Sequence, residues 1–359
     1  MSSELSIRAA RLTDRQALAD LSQQVHTAED AYRRSLGVPA PTAVRPTISL
    51  SALIPSWLPL RSPSVHLVAD AGGALVGSCR AIEEPHRDDW AIIELDAADG
   101  PDAPEVRFAL LRALVEEGAQ RGVGRFHAAC SDVHENLELF GQTGFMAYAQ
   151  EEIFYRAPQL IGGARSWVRG LFARDGTSAR DRRTSARDRR SDDSPSSLRP
   201  AGAPDAWHLF DLWTHATPPA IARAEGYSAS DWESVGHEAI VPRSSLNPIL
   251  HFAEVDAWIL PTDQRAGGLA QRGACRQGPH YLRFLVRNSV DGAGFLRAVL
   301  DAVGHETLAA GILSPVRTYE SAGLRAAEAA GFEAIGRVTL LVREVRAHVT
   351  QPAMVPAIH

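Results

Sequence analysis

Apolar positions along this chain change period in a fixed order, and that order occurs twice. In the first stretch Ile7 to Leu12 reads as a short strand, and Thr13 or Asp14 caps a helix with Ala17, Leu18, Leu21 and Val25 on one side. An irregular stretch with Pro39, Pro41, Pro46, Pro55 and Trp57 follows. A hairpin then runs from Val65 to Asp70, through Ala71-Gly72-Gly73, into Ala74 to Glu83. Trp90 to Ala97 reads as a strand, the stretch holding Phe108, Leu111, Leu114 and Val115 as a helix, and Arg125 to Cys130 as a further strand. A last helix ends at Gly144-Phe145, and Glu151 to Arg156 closes the copy as a strand.

The second stretch repeats this with Asp205 before Ala206, Leu209, Phe210 and Trp213, then an irregular part holding Pro218, Pro219, Tyr227, Trp232 and Pro242. Its hairpin starts at Ala257 to Leu260 and is expected to turn near Gly267-Gly268. His280 to Arg287 and Leu308 to Leu313 read as strands around a helix with Phe295, Val299, Leu300 and Val303, and Arg337 to Arg343 closes the copy. Each copy therefore reads β-α-β-β-β-α-β-α-β, an α/β fold on a mixed sheet. Short landmarks support the duplication at an offset of about 190 residues. Ile7-Arg8-Ala9 to Asp14 meets Leu198-Arg199-Pro200 to Asp205, Gly77-Ser78-Cys79 meets Gly273-Ala274-Cys275, Asp99-Gly100 meets Asp291-Gly292, and Gly144-Phe145 meets Gly331-Phe332.

These boundaries divide the chain into 1–160, a basic segment 161–197, 198–347, and a tail 348–359. The basic segment contains an immediate duplication, Thr177 to Arg183 followed by Thr184 to Arg190, then a serine- and aspartate-rich run without apolar residues. It reads as a disordered linker. Just before it, Trp167, Val168, Leu171 and Phe172 make a short apolar face among Arg165, Arg169 and Arg174, which is expected to dock on its own domain or fray rather than bind a membrane.

Composition narrows the chemistry. All 37 Lys+Arg residues are arginine, which removes Schiff-base chemistry, a Walker phosphate loop and any lysine base. A net charge of -6 argues against nucleic acid as partner. No apolar run reaches the roughly 18 residues a membrane helix needs, and the polar start with Glu4 does not read as a secretory signal. Cys79, Cys130 and Cys275 form no CxxC pair and leave an odd number, so free thiols and a cytoplasmic location are expected. HExxH, CxxC and GxSxG patterns are missing, and His127, His134 and His251 stand alone, so no metal site is expected. Gly122-Val123-Gly124 follows a helix and precedes a strand, the order of a helix C-cap rather than a phosphate cradle.

The element order, the Ile-Arg-x-Ala opening before a capped helix, and the closing helix that runs into Gly-Phe resemble the GNAT N-acetyltransferase superfamily, from Ile7 to Arg156 and again from Leu198 to Glu344. In two copies the chain looks like the tandem GNAT proteins, which include mycothiol synthase-type enzymes in which one half keeps the catalytic site. The resemblance implies that acetyl-CoA binds where the fourth and fifth strands splay apart, its pyrophosphate on backbone N–H groups opening the next helix. In the second copy this lines up with Val286 and with Asp291, Gly292, Ala293, Gly294 and Phe295, keeping the middle glycine of the family pattern while Asp291 and Leu296 depart from it. The first copy, Asp102-Ala103-Pro104-Glu105-Val106-Arg107, has no glycine and two carboxylates there.

The tyrosine that commonly protonates the departing thiolate in the family is Phe140 in one copy and Ala327 in the other. Tyr319 lies near the start of the last helix and could approach the same cleft. Candidate bases are Glu94 in the first copy and Glu254 or His280 in the second. Two functions follow. One is an N-acyltransferase moving acetyl from acetyl-CoA to a small-molecule or peptide amine, through the second copy, with Thr214 to Leu246 covering the acceptor. The other is an inactive binding module that kept the fold. A monomer is expected, because two copies in one chain can form the pair that single-domain members reach by dimerising.

Overall fold

The computed structural model describes residues 5–25, 64–84, 87–158, 198–237, 239–250, 252–262, 265–276 and 278–345. The proline-rich stretch after the first helix, the linker with its amphipathic segment, His251 and the tail lie outside them.

The first copy comprises β1 (Leu5–Ala9), a 3-10 turn (Leu12–Asp14), α1 (Arg15–Gln24), β2 (Ser64–Ala71), β3 (Ala74–Glu83), β4 (Asp89–Ala97), α2 (Ala103–Gln120), β5 (Arg125–Ser131), α3 (His134–Gln142) and β6 (Met146–Arg156). The second comprises β7 (Arg199–Pro200), a 3-10 turn (Ala203–Asp205), α4 (Ala206–Ala216), α5 (Pro219–Glu225), a 3-10 turn (Ala229–Trp232), β8 (Phe252–Pro261), β9 (Ala266–Cys275), β10 (His280–Val286), α6 (Gly292–Ala302), α7 (Gly304–Ala310), β11 (Ile312–Arg317), α8 (Ser321–Ala329) and β12 (Glu333–Glu344). The doubled element order is present, on one mixed sheet.

That sheet has 12 strands in the order β1-β2-β3-β4-β5-β12-β6-β11-β10-β9-β8-β7. The halves exchange their last strands. β12, from the C-terminal half, pairs antiparallel with β5, while β6, from the N-terminal half, pairs antiparallel with β11. Each closing strand completes the other half's sheet.

Strand alternation divides each half between two cores. In β2, Val65, Leu67 and Ala69 meet Leu110, Leu111 and Leu114 of α2, whereas His66 and Val68 face the opposite side. In the C-terminal half Leu282, Phe284 and Val286 pack against Phe295, Val299 and Ala326 on α6 and α8. The other face packs Leu269 and Leu285 against Leu209, Trp213, Trp232 and Val241.

Several expectations shift. Gly267 and Gly268 lie inside β9, and the hairpin turns at Thr262 to Arg265, whose backbones bond at 2.9 Å. Leu308 belongs to α7, which ends at Gly311 with φ 82°, so the strand begins at Ile312. Gly273 is not the counterpart of Gly77. Gly77 pairs with Ala97 and Gly268 with Val286, each at the far end of the fourth strand. At both positions the helix after that strand comes too close for a side chain: a Cβ would meet Val106 at 2.6 Å in one half and Phe295 at 2.9 Å in the other. Gly122, at φ 83°, does close α2, with Val123 N–H donating to Gly118 O at 3.0 Å. Among the described residues no helix is long and apolar enough to cross a membrane.

Candidate functional site

In both halves the fourth strand leaves its parallel neighbour early. β4 pairs with β5 only at Asp89, Trp90 and Ala91, and β10 pairs with β11 only at His280 and Tyr281. Beyond these points each pair opens into a wedge. The two wedges are filled differently.

In the C-terminal wedge Ser314 Oγ donates to Leu282 O at 2.7 Å, and Arg283 Nη1 donates to Phe284 O at 2.7 Å. Both of these β10 carbonyls are thus taken by side chains. Arg283, 1% exposed, also forms a two-pronged pair with Glu320 at 2.9 and 2.5 Å. The helix turn assigned to an anion is closed by its own residue: Asp291 Oδ1 accepts from Gly294 N–H at 3.0 Å. At Gly292 a Cβ would lie 3.2 Å from Ala326 Cβ and 3.3 Å from Ala322 O, so α6 and α8 touch directly. Val286 and Phe295 are buried in the core below.

No contact among the described residues joins Glu254, His280 and Tyr319 to one another. Glu254 is an exposed β8 side chain 3.6 Å from Arg272, and His280 Nδ1 accepts from Cys275 N–H at 3.0 Å. Tyr319 is held in the interior beside Glu320, where burial raises its phenol. The stretch 214–246 lays part of its length into the core. Trp232, Val235 and Val241 are buried, and Gln271 grips the backbone of Val241 through both its N–H, at 3.0 Å, and its carbonyl, at 2.5 Å.

The N-terminal wedge differs at one decisive position. Between Arg80 and Ala81 the β3–β4 register slips, so that Arg80 opposes Glu94 and Ala81 opposes Ile92, leaving Ile93 as an extra residue. The bulge restores the alternation beyond it and sets Glu94 on the face away from α2, three residues past the last β5 pair. Ser78 Oγ donates to Glu94 Oε1, and His66 Nε2 stands 3.8 Å from the same oxygen. Burial lowers the His66 pKa, with Arg80 adding to the effect against the pull of Glu94. His66 opposes Arg80 across β2 and β3, so His66, Arg80 and Glu94 form one row over three strands.

Counted from Gly77 and Gly268, the same row in the C-terminal half is Ala257, Gln271 and Arg283. Where one half has a carboxylate, the other has a guanidinium that cannot act as a base. Sequence reasoning singled out Glu94 and missed Ser78, His66 and Arg80. The signal was available as a histidine and an arginine on the interior of otherwise apolar strands, His66 in Val65-His66-Leu67-Val68 and Arg80 in Cys79-Arg80-Ala81-Ile82.

The opening turn of α2 has room, since a Cβ at Gly100 would meet no atom within 4 Å. It is also acidic, carrying Asp99, Asp102 and Glu105. Phe140 is buried against Phe145 and offers no proton. Ser131, at the end of β5, accepts from Asn136 Nδ2 at 3.2 Å and was also not singled out by sequence.

Between the halves lies a buried ionic cluster. Fully buried Arg317 reaches Glu151 at 3.2 Å and Glu225 at 2.6 Å, and donates to Arg243 O at 2.7 Å. Arg243 pairs with Glu84 at 2.7 Å, and Arg87 pairs with Asp89 at 2.7 Å and donates to Glu225 O. His127 stands 3.6 Å from Asp89, and burial holds its pKa down at about 3, so it is neutral at pH 7. The cluster ties the 217–247 segment across β4, β6 and β11. Its charges are mutually engaged, which suits a joint better than a reaction site.

No family model matches the chain, and no curated protein does. Among solved structures it is similar to a GCN5-related N-acetyltransferase from Sphaerobacter thermophilus, at 15% identity and TM-score 0.48, covering 95% of this chain and 96% of that one. It is also similar to a tandem GNAT protein from the clavulanic acid biosynthesis pathway, at 12% identity and TM-score 0.45, covering 95% and 98%. A GCN5-related N-acetyltransferase from Kribbella flavida matches at 13% identity and TM-score 0.40, covering 96% and 71%.

Proposed function

We propose that the chain is an acyl-CoA-dependent N-acyltransferase whose reaction site lies in the N-terminal half, with Glu94 as the base. The observation that carries this reading is the difference between the two wedges. The C-terminal one, favoured by its glycines, has its β10 carbonyls taken by Arg283 and Ser314 and its helix turn capped by Asp291. The N-terminal one diverges after Ala91 and presents Glu94 in its opened part.

The chemistry assigned to this site is acyl transfer from a thioester to an amine. Glu94 takes a proton from the acceptor ammonium, and the freed nitrogen lone pair attacks the thioester carbonyl carbon. The C–S bond breaks, the thiolate leaves with its electron pair and takes up a proton from the nitrogen, and one proton is released overall. The Ser78 hydroxyl holds the Glu94 carboxylate in place, with His66 Nε2 standing 3.8 Å away. With phenylalanine at position 140 the thiolate departs without a phenol donor.

Isothermal titration with acetyl-CoA, followed by an amine-acetylation assay, tests the reading. Binding by the whole protein, with turnover that Glu94→Gln removes while binding persists, supports it. The acidic turn at Asp99, Asp102 and Glu105 favours a second reading, a non-catalytic binding module, because carboxylates there repel a pyrophosphate. Absence of acetyl-CoA binding would favour that alternative.

A further inference from the structure

Arg80 is 9% exposed, and among the described residues it has no ion pair. Among the described residues its buried Nε has no hydrogen-bond acceptor. Glu94 stands directly opposite on β4, yet it is engaged by Ser78 and faces His66. Of the other charges on this face, Arg8 and Asp14 are paired to each other at 2.7 Å, Asp70 stands 3.3 Å from Arg8, and Asp96, opposite Ser78, is itself engaged. A guanidinium taken largely out of water without a partner is costly, and the fork of an arginine matches a carboxylate. The corresponding residue of the C-terminal half, Gln271, spends its polar atoms on the backbone of Val241. Among the described residues Arg80 has no such contact.

We infer that the acceptor is an amino acid, its carboxylate held by Arg80 and its amine presented to Glu94, the two groups facing each other across β3 and β4. The inference rests on the N-terminal half being the reaction site. Direct cross-strand neighbours lie about 5 Å apart at their Cβ atoms, so a compact amino acid can span a guanidinium and a carboxylate set side by side. The charges match in order, with the anion of the acceptor on the cation of the protein and the ammonium on the base. Arg80 is a specificity-determining residue in this arrangement, and it takes no proton.

The probes are the ω-amino acids from glycine to 6-aminohexanoate, with alkylamines of equal chain length as the carboxylate-free set. Each is titrated calorimetrically into the whole protein with and without CoA, and each is offered with acetyl-CoA in a turnover assay. The expected result is a kcat/KM preference for at least one amino acid over its matching alkylamine. Arg80→Gln should reduce that preference about ten- to a hundredfold, mainly through KM, with Arg80→Lys between the two. A structural role alone would lower activity on both sets equally. Equal use of amino acids and alkylamines would overturn the acceptor assignment and leave the acyltransferase reading standing. Arg80-dependent binding of an amino acid without any acetyl transfer would leave the carboxylate site standing and overturn the acyltransferase reading. Absence of both binding and preference for every amino acid tested would overturn the inference.

Discussion

Glu94 and Arg283 occupy equivalent places in the two halves, and on the proposed reading this single exchange of charge separates their chemistry. A carboxylate can accept a proton at neutral pH; a guanidinium cannot. Glu94→Gln keeps the side-chain shape and the contact to Ser78 while removing the proton acceptor. The expected loss in kcat is about 10²- to 10⁴-fold, the usual contribution of general base catalysis, with acetyl-CoA affinity unchanged in the same titration. An unchanged kcat would place the base elsewhere. The residue was legible in sequence as a strand carboxylate, but its rank was not, because its partners His66, Ser78 and Arg80 come from other strands and the bulge at Ile93 has no sequence mark. The glycines Gly292 and Gly294 carry two physical readings. Small residues permit a phosphate to approach a helix turn, and they equally permit α6 to press against Ala322 and Ala326 and Asp291 to cap its own helix.

At the level of elements, both halves open with the same device. Arg8 forks onto Asp14 at 2.7 and 3.0 Å, and Arg199 onto Asp205 at 2.9 and 2.6 Å. Thr13 or Asp14 was expected to cap the first helix and Asp205 the second; Asp14 and Asp205 do stand at the N-cap positions, but each carboxylate turns back, accepting from Arg11 N–H at 2.6 Å and from Gly202 N–H at 3.1 Å. The hydrogen-bonded arginine lowers the pKa of each aspartate below its ordinary value of 3.8. A carboxylate with a folded-state pKa below its unfolded one contributes stability above the unfolded value and loses it as pH falls. Urea unfolding at a series of pH values should therefore show stability dropping below about pH 4, and a shallower drop in Asp14→Asn and Asp205→Asn. An identical pH slope in the variants would remove these pairs from the acid response. The arginine-to-aspartate spacing was visible in sequence as a repeated landmark, whereas the direction of the carboxylate depended on the 3-10 turn that precedes each helix.

Across the whole molecule, exchange of β6 and β12 makes each half depend on the other's last strand. The sequence carried both copies of the element order but not the exchange, since a closing strand that returns to its own half and one that crosses over have the same apolar pattern. Residues 1–158 produced alone should self-associate or re-pair β6 onto β5, with lower stability than in the full chain, and sedimentation with urea unfolding would read this. A monomeric fragment of full-chain stability would contradict it. Arg317, buried between Glu151 and Glu225, holds the same junction. Arg317→Met leaves two buried carboxylates without their cation and should destabilise the protein by about 3–5 kcal/mol in denaturant unfolding.

Whether the N-terminal wedge holds the acyl donor is read by hydrogen exchange of the full chain with and without acetyl-CoA. Slower exchange is expected in peptides covering β4 beyond Ala91 and the start of α2, with β10 and the start of α6 unchanged. Protection confined to 282–296, with 92–106 unaffected, would contradict it.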